Sequence, residues 1–593
     1  MDDHHNLRDL YANIRSESIK YLMNKYQAMI VEKSDTSHKY PITLQIKVCI
    51  AESDIKLLLS LPFNFPDSFP EVKLEEQSFN SLYPIPHLSS YKTLCLFDDV
   101  VASPNPYNPL GILDAAIQKA KELLLKGILH QNVQEYTEEF ETYWLEESKG
   151  SYLSIIEPSE SPKEIFLVPF KYTNWNQSGI FSDQKSDALN WIQNLGGNIS
   201  EDDIAKVLYI PLLKSMDFPF PKCNRDIYQL LKNNKLALKA LSQYLTKCKR
   251  PSKVLFSVQS NNEYSWGVWE HQKPFKKVIL QYKGRRRVKT NVDGFRKETQ
   301  HGWLEIVKEF PNMEIIKYSI EDVRAIRLKK RGGDGKTNNN KRKVAIVGCG
   351  ALGSHLTQGL IDIGIEHLLL IDHDTLGFEN INRHLCGASD VGNYKTEAVK
   401  KRLRKHYPTS QIHVCNDNVL SLLENNPKAL NSYDLIIVAI SHSPTELRLN
   451  DLQMKNLITQ PIINIWVEPY LAGGHAVWSN PEDKISLNSL FEDSGAYKNQ
   501  ILKDGNKYTK KELGCNTSYV PYGVLELKKF IIDIMLFIEQ QLNCKNSTSR
   551  TLTWLGNLTE QKKHKRLLAP KWVGATDFSL RLHDIENNQK SVD

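Results

Sequence analysis

Three glycines in this sequence have the spacing of a phosphate-binding turn. Gly348, Gly350 and Gly353 form a G-x-G-x-x-G pattern directly after the apolar run KVAIV. Such a turn lets backbone approach a pyrophosphate at the start of a helix. Dehydrogenases use it for a nicotinamide dinucleotide and other enzymes use it for ATP, so the glycines alone leave the nucleotide open.

Two carboxylates follow the next apolar run, LLLID. Asp372 lies about 20 residues beyond the glycines, where a carboxylate would bind a ribose hydroxyl. Asp374 could hold a metal ion, or it could form a turn after the strand. Both NAD and ATP contain ribose, so these residues do not discriminate between the two nucleotides.

Two cations favour ATP. Arg383 lies in ENINRH, and Lys395 lies in DVGNYKTEAV. An enzyme that cleaves the α–β phosphate bond needs such cations, because negative charge builds up on the departing pyrophosphate. A dehydrogenase has no use for them. The alternative for each residue is ordinary surface charge.

In this order and spacing, the glycine turn, D-x-D, E-N-x-N-R-x and V-G-x-x-K resemble the ThiF/MoeB/ubiquitin-activating superfamily of adenylating enzymes. The resemblance implies an ATP·Mg²⁺ site that activates a C-terminal glycine in a homodimer. Asp372 would bind ribose, Asn380 and Arg383 would contact phosphates, and Lys395 would stabilise the pentavalent α-phosphate. The family usually has an aspartate where this chain has Ser441, so the metal would depend on Asp374, on waters or on Glu446.

Cys515 is the predicted acyl acceptor. It lies in KELGCNTSYVPYG, an irregular stretch beside Lys510 and Lys511 and just before a long predicted helix. These surroundings favour a lowered thiol pKa. A thiolate there could take the acyl group from an adenylate as a thioester. The alternative is a buried structural cysteine.

Cys95 is a second predicted thioester carrier. It lies in SLYPIPHLSSYKTLCLFDD, downstream of the proline-rich LPFNFPDSFPEVKL. Both stretches resemble ubiquitin-conjugating enzymes, although the His-Pro-Asn tripeptide of that family is missing. His87, Asn105 and Asn108 are near its expected place, and each is expected to be structural rather than catalytic. The alternative is a non-catalytic scaffold of the same fold.

The length of 593 residues predicts about three domains. Residues 1–148 are expected to form an α+β ubiquitin-conjugating-like domain with a helix over 111–128. Residues 149–325 are expected to form a mixed α/β middle domain. Residues 326–593 alternate strands and helices and predict an α/β Rossmann-like, doubly wound adenylation domain. The basic stretch 327–343 is predicted to be a mobile linker, with contact to a nucleotide phosphate as the alternative.

The composition and charge of the chain exclude few classes of protein. A net charge of +7 is a mild bias that does not require nucleic acid. FIIDIMLFI is too short to span a membrane and is predicted to be a buried helix. The polar N-terminus has no signal-peptide core, so a cytoplasmic location is expected. The nine cysteines include no C-x-x-C pair, so no zinc is expected, and Cys349 and Cys386 are interpreted as small packing residues.

A conjugating domain followed by an activating domain resembles the bacterial ubiquitin-transferase-like fusions of CBASS anti-phage operons. That resemblance alone implies a cGAS/DncV-like nucleotidyltransferase substrate and lysine-bearing targets. Three rival hypotheses remain: an activator of a ubiquitin-like or sulfur-carrier protein, a nicotinamide dehydrogenase, and a non-enzymatic docking adaptor.

Overall fold

The computed structural model describes the chain outside residues 1, 34–38, 99–100, 173–174, 198, 200–202, 215, 217, 248–250, 261–262, 273–280, 283–284, 287–309, 333–340, 512–517, 545–547 and 586–593. Its contacts define two compact units. The first unit contains residues 1–188 and 199–323, and the second contains residues 189–198 and 324–593. Among the described helices, each is too short or too polar to cross a membrane.

The first unit begins with a helix and a four-stranded antiparallel meander. Its elements are α1 Asp2–Tyr26, β1 Met29–Lys33, β2 Ile42–Ile50, β3 Ser53–Leu61, β4 Glu71–Leu74, α2 Glu76–Leu82 and α3 Pro109–Ile128. Apolar residues alternate along β2, so Leu44, Ile46 and Val48 are buried in one core with Leu113 and Ala116 of α3. The predicted helix over 111–128 and the predicted α+β order are confirmed.

The first unit continues into a closed barrel with strand order β10-β13-β5-β7-β6-β8-β9. Its strands are β5 Ser151–Ser154, β6 Lys163–Pro169, β7 Gln177–Ser182, β8 Ala205–Leu212, β9 Ser252–Ser260, β10 Glu263–His271 and β13 Ile315–Asp322, with a separate hairpin of β11 Gln281–Tyr282 and β12 Arg285–Arg286. The helices of this region are α4 Glu135–Glu138, α5 Phe140–Glu146, α6 Lys185–Asn194, α7 Asn224–Leu231 and α8 Lys235–Lys247, and residues 189–194 of α6 belong to the second unit.

Residues of the barrel strands belong to two apolar clusters. One consists almost entirely of strand residues, including Tyr209 and Trp266, and the other joins strand residues to the helices through Trp144 and Phe256. Helix α5 precedes residue 149, yet Trp144 donates a hydrogen bond to the Tyr318 carbonyl of β13 at 2.9 Å. The predicted boundaries at 148/149 and 325/326 stay predictions.

The second unit is built on an eight-stranded sheet of order β16-β15-β14-β17-β18-β19-β22-β23. Its strands are β14 Lys343–Val347, β15 His367–Ile371, β16 Gln411–Cys415, β17 Leu435–Val438, β18 Ile462–Val467, β19 Gly473–Ser479, β22 Arg550–Leu555 and β23 Leu580–Asp584, with a small pair of β20 Lys510–Lys511 and β21 Ser518–Tyr519. Its helices are α9 Ala325–Gly332, α10 Ala351–Asp362, α11 Lys395–His406, α12 Val419–Asn425, α13 Ser443–Met454, α14 Val524–Asn543 and α15 Leu558–Lys563.

The parallel half of this sheet has the predicted doubly wound topology. Strand β14 pairs in parallel with β15 on one side and with β17 on the other. The connection after β14 leads to β15 on one side, and the connection after β16 crosses to β17 on the other side, which opens a crevice at the carboxyl end of β14. The stretch FIIDIMLFI lies in α14, which confirms the predicted helix, but only one face of it is buried. Phe530, Ile534 and Ile538 are fully buried, whereas Ile532 and Leu536 are 62% and 60% exposed.

The beginning of the predicted mobile linker is helical instead. Residues 327–332 belong to α9, where Lys329 forms an ion pair with Glu366 at 3.0 Å and donates to the Gly364 carbonyl at 3.1 Å. The ion pair and the hydrogen bond of Lys329 hold this helix against the rest of the second unit, to which it belongs. Residues 333–340 lie outside the described residues, and the last residue of the stretch, Lys343, begins β14.

Candidate active site

The glycine turn joins β14 to α10 at the carboxyl end of the parallel strands. Gly348 has φ +94°, in the left-handed region that favours glycine, and an added Cβ there would lie 2.6 Å from the Ala439 carbonyl oxygen. At Gly353 an added Cβ would lie 1.9 Å from the Gly348 carbonyl oxygen. Both positions therefore need glycine for close packing. Gly350 precedes the helix, and a Cβ there would meet open space.

Asp372 holds the backbone of this turn in place. Its Oδ2 accepts a hydrogen bond from the Cys349 N–H at 2.6 Å, and its Oδ1 accepts one from the Asp374 N–H at 2.9 Å. The carboxylate thus joins the end of β15 to the glycine turn. The role in ribose binding stays a prediction.

Lys395 and Asp374 are brought together as an ion pair. Lys395 Nζ lies 2.7 Å from Asp374 Oδ2, and the lysine side chain is 12% exposed. Partial burial acts to raise the pKa of the Asp374 carboxyl, but the hydrogen bond and charge of Lys395 outweigh it, so this pKa is below its ordinary value. The predicted phosphate-stabilising cation therefore contacts the predicted metal ligand.

A cavity of about 470 Å³ lies beside these groups. It is lined by Gly348, Gly350, Asp372, Asp374 and Lys395, which the sequence predicted. Further lining residues that sequence reasoning missed are Asp417, Asn418, His442 and Thr445. All four follow the carboxyl ends of β16 or β17, and that position in a parallel sheet was the signal that could have found them.

The cavity wall offers a candidate cation site. Among the described residues, ligand atoms of Asp372, His373 and Asp374 lie within 4.8 Å of one another. Two carboxylates suit a hard divalent ion, whereas an imidazole is a less usual ligand for one. The described lining of the cavity does not include Glu446, which is buried and accepts the His442 N–H at 3.2 Å, and burial raises the pKa of its carboxyl. Ser441, where the resemblance predicted an aspartate in other family members, has φ +53°.

Asn380 and Arg383 lie on the connection between β15 and α11, residues 372–394. Asn380 Oδ1 accepts the Gly377 N–H at 3.1 Å and so caps its own turn. The guanidinium carbon of Arg383 lies 5.8 Å from the centre of the Tyr522 ring. Both side chains are half-buried, and the described lining of the 470 Å³ cavity does not include them. Their predicted contacts with phosphates stay predictions.

His384 is a structural residue that sequence reasoning missed. Its Nε2 donates to the Cys349 carbonyl oxygen at 2.8 Å, and its Nδ1 accepts the Cys386 N–H at 3.0 Å. Cys349 and Cys386 are buried, and burial raises the pKa of both thiols, in the case of Cys386 to about 12. Their interpretation as small packing residues agrees with this burial.

Cys515 lies outside the described residues, which resume on both sides of it. Strand β20, with Lys510 and Lys511, pairs antiparallel with β21, where Lys511 is opposite Ser518. The chain then passes through Pro521 and Tyr522 to the start of α14 at Val524. Tyr522 connects this passage to Arg383 through the ring contact.

Cys95 is exposed in the first unit, and its N–H donates to the His87 carbonyl at 2.9 Å. The His87 side chain faces carboxylates instead, with Nε2 3.0 Å from Glu135 Oε2 and Nδ1 3.4 Å from Glu139 Oε2. This histidine therefore connects the Cys95 loop to the helical segment that leads into the barrel.

The two asparagines near Cys95 cap backbone. Asn105 Oδ1 accepts the Tyr107 N–H at 3.1 Å, and Asn108 Oδ1 accepts the Gly111 N–H at 3.0 Å at the start of α3. Backbone capping of this kind is the role expected of Asn105 and Asn108 if they are structural residues.

Two family models match the chain. The ThiF family model matches residues 323–498, and the model of Prokaryotic E2 family B matches residues 21–152. The first range contains the predicted nucleotide-site residues from Gly348 to Lys395, and the second contains Cys95. The chain is therefore a fusion of an E2-like domain with a ThiF/MoeB-like, Rossmann-like adenylation domain.

Known proteins resemble parts of the chain. It is 27% identical over 181 residues to the adenylyltransferase and sulfurtransferase MOCS3 of Aedes aegypti, covering 30% of this chain and 40% of that protein. It is 28% identical over 137 residues to the sulfur carrier protein adenylyltransferase of Thermus thermophilus, covering 23% and 49%. The chain thus spans less than half the length of these relatives. A crystal structure of E. coli MccB with MccA-N7isoASN shows 18% identity and a TM-score of 0.29, covering 44% of this chain and 66% of that chain.

Proposed function

We propose that this protein activates the C-terminal carboxylate of a protein substrate with ATP and passes the acyl group along two cysteines to an amine. The observation that supports this most directly is the 470 Å³ cavity, where the glycine turn, Asp372, Asp374 and Lys395 meet. The same chain carries the exposed Cys95 in an E2-like domain. A nucleotide site and an acyl carrier in one chain are what an activating and conjugating enzyme requires.

The cavity fits the phosphate end of a nucleotide. Gly350 leaves open space at the start of α10, where backbone N–H groups and the helix dipole attract anions. Lys395 supplies a positive charge at the wall. In the proposed first step, a substrate carboxylate oxygen attacks the α-phosphorus of ATP and pyrophosphate departs. Lys395 and Arg383 stabilise the charge that develops.

Asp372, His373 and Asp374 are the residues that would hold a divalent cation. A bound Mg²⁺ would offset charge on the phosphates. The two carboxylates of this set suit that ion, with Asp374 as its first ligand. Lys395 already forms an ion pair with Asp374 in the structure. The cation and Lys395 would therefore both lie beside the Asp374 carboxylate.

The following steps transfer the acyl group. The Cys515 thiolate attacks the acyl carbon and AMP leaves, which gives a thioester. The Cys95 thiolate then attacks that thioester and releases the Cys515 thiolate. Finally, an amine of the target attacks the acyl carbon, the Cys95 thiolate leaves, and the amine's proton passes to water. Thioester exchange is nearly isoenergetic, so adenylation supplies the driving force.

The resemblance of the domain order to CBASS fusions suggests the substrate. We propose a cGAS/DncV-like nucleotidyltransferase as the protein whose C-terminus is activated, lysine-bearing proteins as targets, and priming for anti-phage defence as the outcome. A cytoplasmic homodimer is the form proposed from the same resemblance.

Non-reducing gels and ATP–pyrophosphate exchange test the order of the two cysteines. With a cGAS/DncV-like nucleotidyltransferase as substrate, Cys515→Ala should keep exchange and form no thioester on either domain. Cys95→Ala should leave a thiol-sensitive adduct on Cys515 and stop conjugation. As a control, Cys49→Ala changes another exposed thiol of the E2-like domain and should have no effect. Loss of exchange in Cys515→Ala would overturn this division of labour.

The names of the relatives favour one alternative. MOCS3 and the Thermus protein are named for adenylylation together with sulfur transfer or a sulfur carrier. On this alternative the adenylate of a small carrier protein is sulfurated and Cys95 has no part. A thiocarboxylate product that survives Cys95→Ala would support the alternative, whereas an isopeptide product lost in Cys95→Ala would exclude it.

A further inference from the structure

Two segments of the second unit, 503–511 and 560–573, together form a surface that we call the basic face. Among its cations, Lys503, Lys510 and Lys565 are exposed. The full set of its cationic residues is Lys503, Lys507, Lys510, Lys511, Lys562, Lys563, Lys565, Arg566 and Lys571. The carboxylates of the same segments are Asp504 and Glu560. The face therefore has a large excess of positive charge.

Direct hydrogen bonds hold the two segments side by side. The Lys503 N–H donates to the Leu567 carbonyl at 2.9 Å, and the Leu567 N–H donates to Tyr508 Oη at 3.1 Å. Beneath them, Leu502, Leu568 and Trp572 belong to one small buried core. The lysines thus project from a fixed scaffold.

Internal ion pairs neutralise only part of this charge. Lys507 lies 3.0 Å from Asp504, and Lys563 lies 3.6 Å from Glu560. Lys507 and Lys563 keep side-chain exposures of 75% and 74% in those pairs. Exposed pairs of this kind contribute little stability. Cations that do so little for the fold are available to an acidic partner.

The face also has apolar side chains in solvent. Leu567 is 62% exposed and Val573 is 54% exposed, and both lie between the cations. Apolar contacts within a charged surround are typical of protein interfaces. Single-stranded nucleic acid would call for exposed aromatic rings, but Trp572 is buried and Tyr508 is half-buried. The mixture favours a protein partner.

The basic face is connected to the proposed acyl-transfer residues. The guanidinium carbon of Arg566 lies 3.5 Å from the centre of the Tyr470 ring, and the Tyr470 N–H donates to the Pro521 carbonyl at 2.5 Å. Pro521 precedes Tyr522, whose ring faces Arg383. Strand β20 within the face also leads directly into residues 512–517. A partner bound here would therefore lie beside Tyr470 and the Pro521–Tyr522 passage that contacts Arg383.

We propose that the basic face binds an acidic, partly apolar surface on the protein whose C-terminus is activated. This inference rests on the proposed function and adds the surface chemistry of its substrate. The face lies wholly beyond residue 498, where the ThiF family match ends. On this proposal, substrate selection depends on residues outside the part of the chain that the ThiF model matches.

Fluorescence anisotropy of the full chain tests the proposal with two labelled probes, a peptide of repeated Glu-Glu-Leu units and a polyuridine RNA of equal length. The triple variant Lys503→Glu, Lys563→Glu, Lys565→Glu should weaken peptide binding roughly tenfold or more, because charge across an interface is reversed. The matched control is Lys401→Glu, Lys405→Glu, Lys428→Glu, which changes exposed lysines elsewhere in the same unit and should leave peptide binding unchanged.

Leu567→Ser separates a protein partner from a nucleic acid. It should weaken peptide binding several-fold and leave RNA binding unchanged, since only the peptide has leucines to bury. Tighter binding of RNA than of peptide, with equal sensitivity to the triple variant, would overturn the proposal in favour of nucleic acid. Equal peptide binding by wild type and triple variant would also overturn it.

ATP titration of the same proteins separates this proposal from the proposed function. Wild type and triple variant should bind ATP equally, because none of the three lysines lines the described nucleotide cavity. Normal ATP binding without peptide binding would overturn the basic face alone. Charge-dependent peptide binding in a protein that does not bind ATP would support the face and overturn the adenylation step.

Discussion

The Lys395 ammonium lies 2.7 Å from the Asp374 carboxylate, and the Lys395 N–H also donates to the Asp374 carbonyl at 2.9 Å. The main chain therefore holds the two residues together, whatever their side chains do. A predicted metal ligand and a predicted phosphate-binding cation thus form one charged pair at the cavity wall. To contact Lys395, a nucleotide phosphate would have to compete with the Asp374 carboxylate. Alternatively, a cation bound with the nucleotide would pair with Asp374 and so release Lys395.

Lys395→Ala should weaken ATP binding about tenfold to a hundredfold. A charge-assisted hydrogen bond contributes about 1.5–3 kcal/mol, and removal of the ammonium also leaves the Asp374 carboxylate to repel phosphate. Titration calorimetry of the full chain measures this affinity. Lys401→Ala is the matched control, because Lys401 is exposed on the same helix. Equal loss in both variants would mean that Lys395 has no particular role.

Gly350→Ala should lose ATP affinity and keep stability. The added Cβ meets open space and φ is −70°, so the fold tolerates it, but the methyl group occupies the place where phosphate would approach. We expect a loss on the order of tenfold, about 1.4 kcal/mol. Gly387→Ala is the control, since it also begins a short helix with open space at its Cβ. A stable Gly350→Ala protein with normal ATP affinity would argue against nucleotide binding at this turn.

The glycine turn and its carboxylates were predictable because they lie within one strand–turn–helix unit and the strand after it. Gly348, Asp372 and Lys395 are close enough in sequence for their spacing to be recognised as a motif. His442 and Asp417 enter the same cavity from the ends of other strands, and such proximity depends on sheet order. Lys395 was predicted as a phosphate-stabilising cation, and its pairing with Asp374 became visible only in three dimensions.

The barrel could not be predicted, because its closure depends on pairs far apart in sequence. Ser319 of β13 is opposite Ser151 of β5, across most of the middle region. Alternation along each strand predicts that the strand exists but not its neighbours. In contrast, the β2–β3 hairpin of the E2-like domain joins adjacent segments, from Ile50 opposite Ser53 onward, so its pairing depends on residues that are close in sequence.

Tyr522→Leu should slow thioester formation on Cys515 without changing ATP affinity. The Tyr522 ring contacts Arg383 and lies on the passage from Cys515 to α14, so it joins the two proposed steps. Loss of a cation–π contact of about 0.5–1 kcal/mol predicts a change of roughly two- to fivefold. Rates of adduct formation on non-reducing gels measure the effect. Tyr522→Phe keeps the ring and should behave as wild type, so equal slowing in both variants would contradict the assignment.

Acid should open the barrel through His271. This histidine is fully buried, with Nδ1 donating to Asn224 Oδ1 at 2.8 Å and Nε2 accepting the Trp269 indole N–H at 3.2 Å. Burial lowers its pKa from 6.5 to about 4. The unfolded chain therefore binds a proton that the folded barrel excludes, and stability is lost as pH falls from about 6.5 towards 4, by up to about 1.4 kcal/mol per pH unit.

Hydrogen–deuterium exchange of β9 and β10 peptides in the full chain measures this opening between about pH 7 and about pH 5, after correction for intrinsic exchange. Wild type should open more readily at the lower pH. His271→Gln retains a donor and an acceptor but cannot take up a proton, so its opening should depend less on pH. His373→Gln is the control, because His373 is exposed in the other unit. Equal pH dependence in wild type and His271→Gln would show that another group governs the acid response of the barrel.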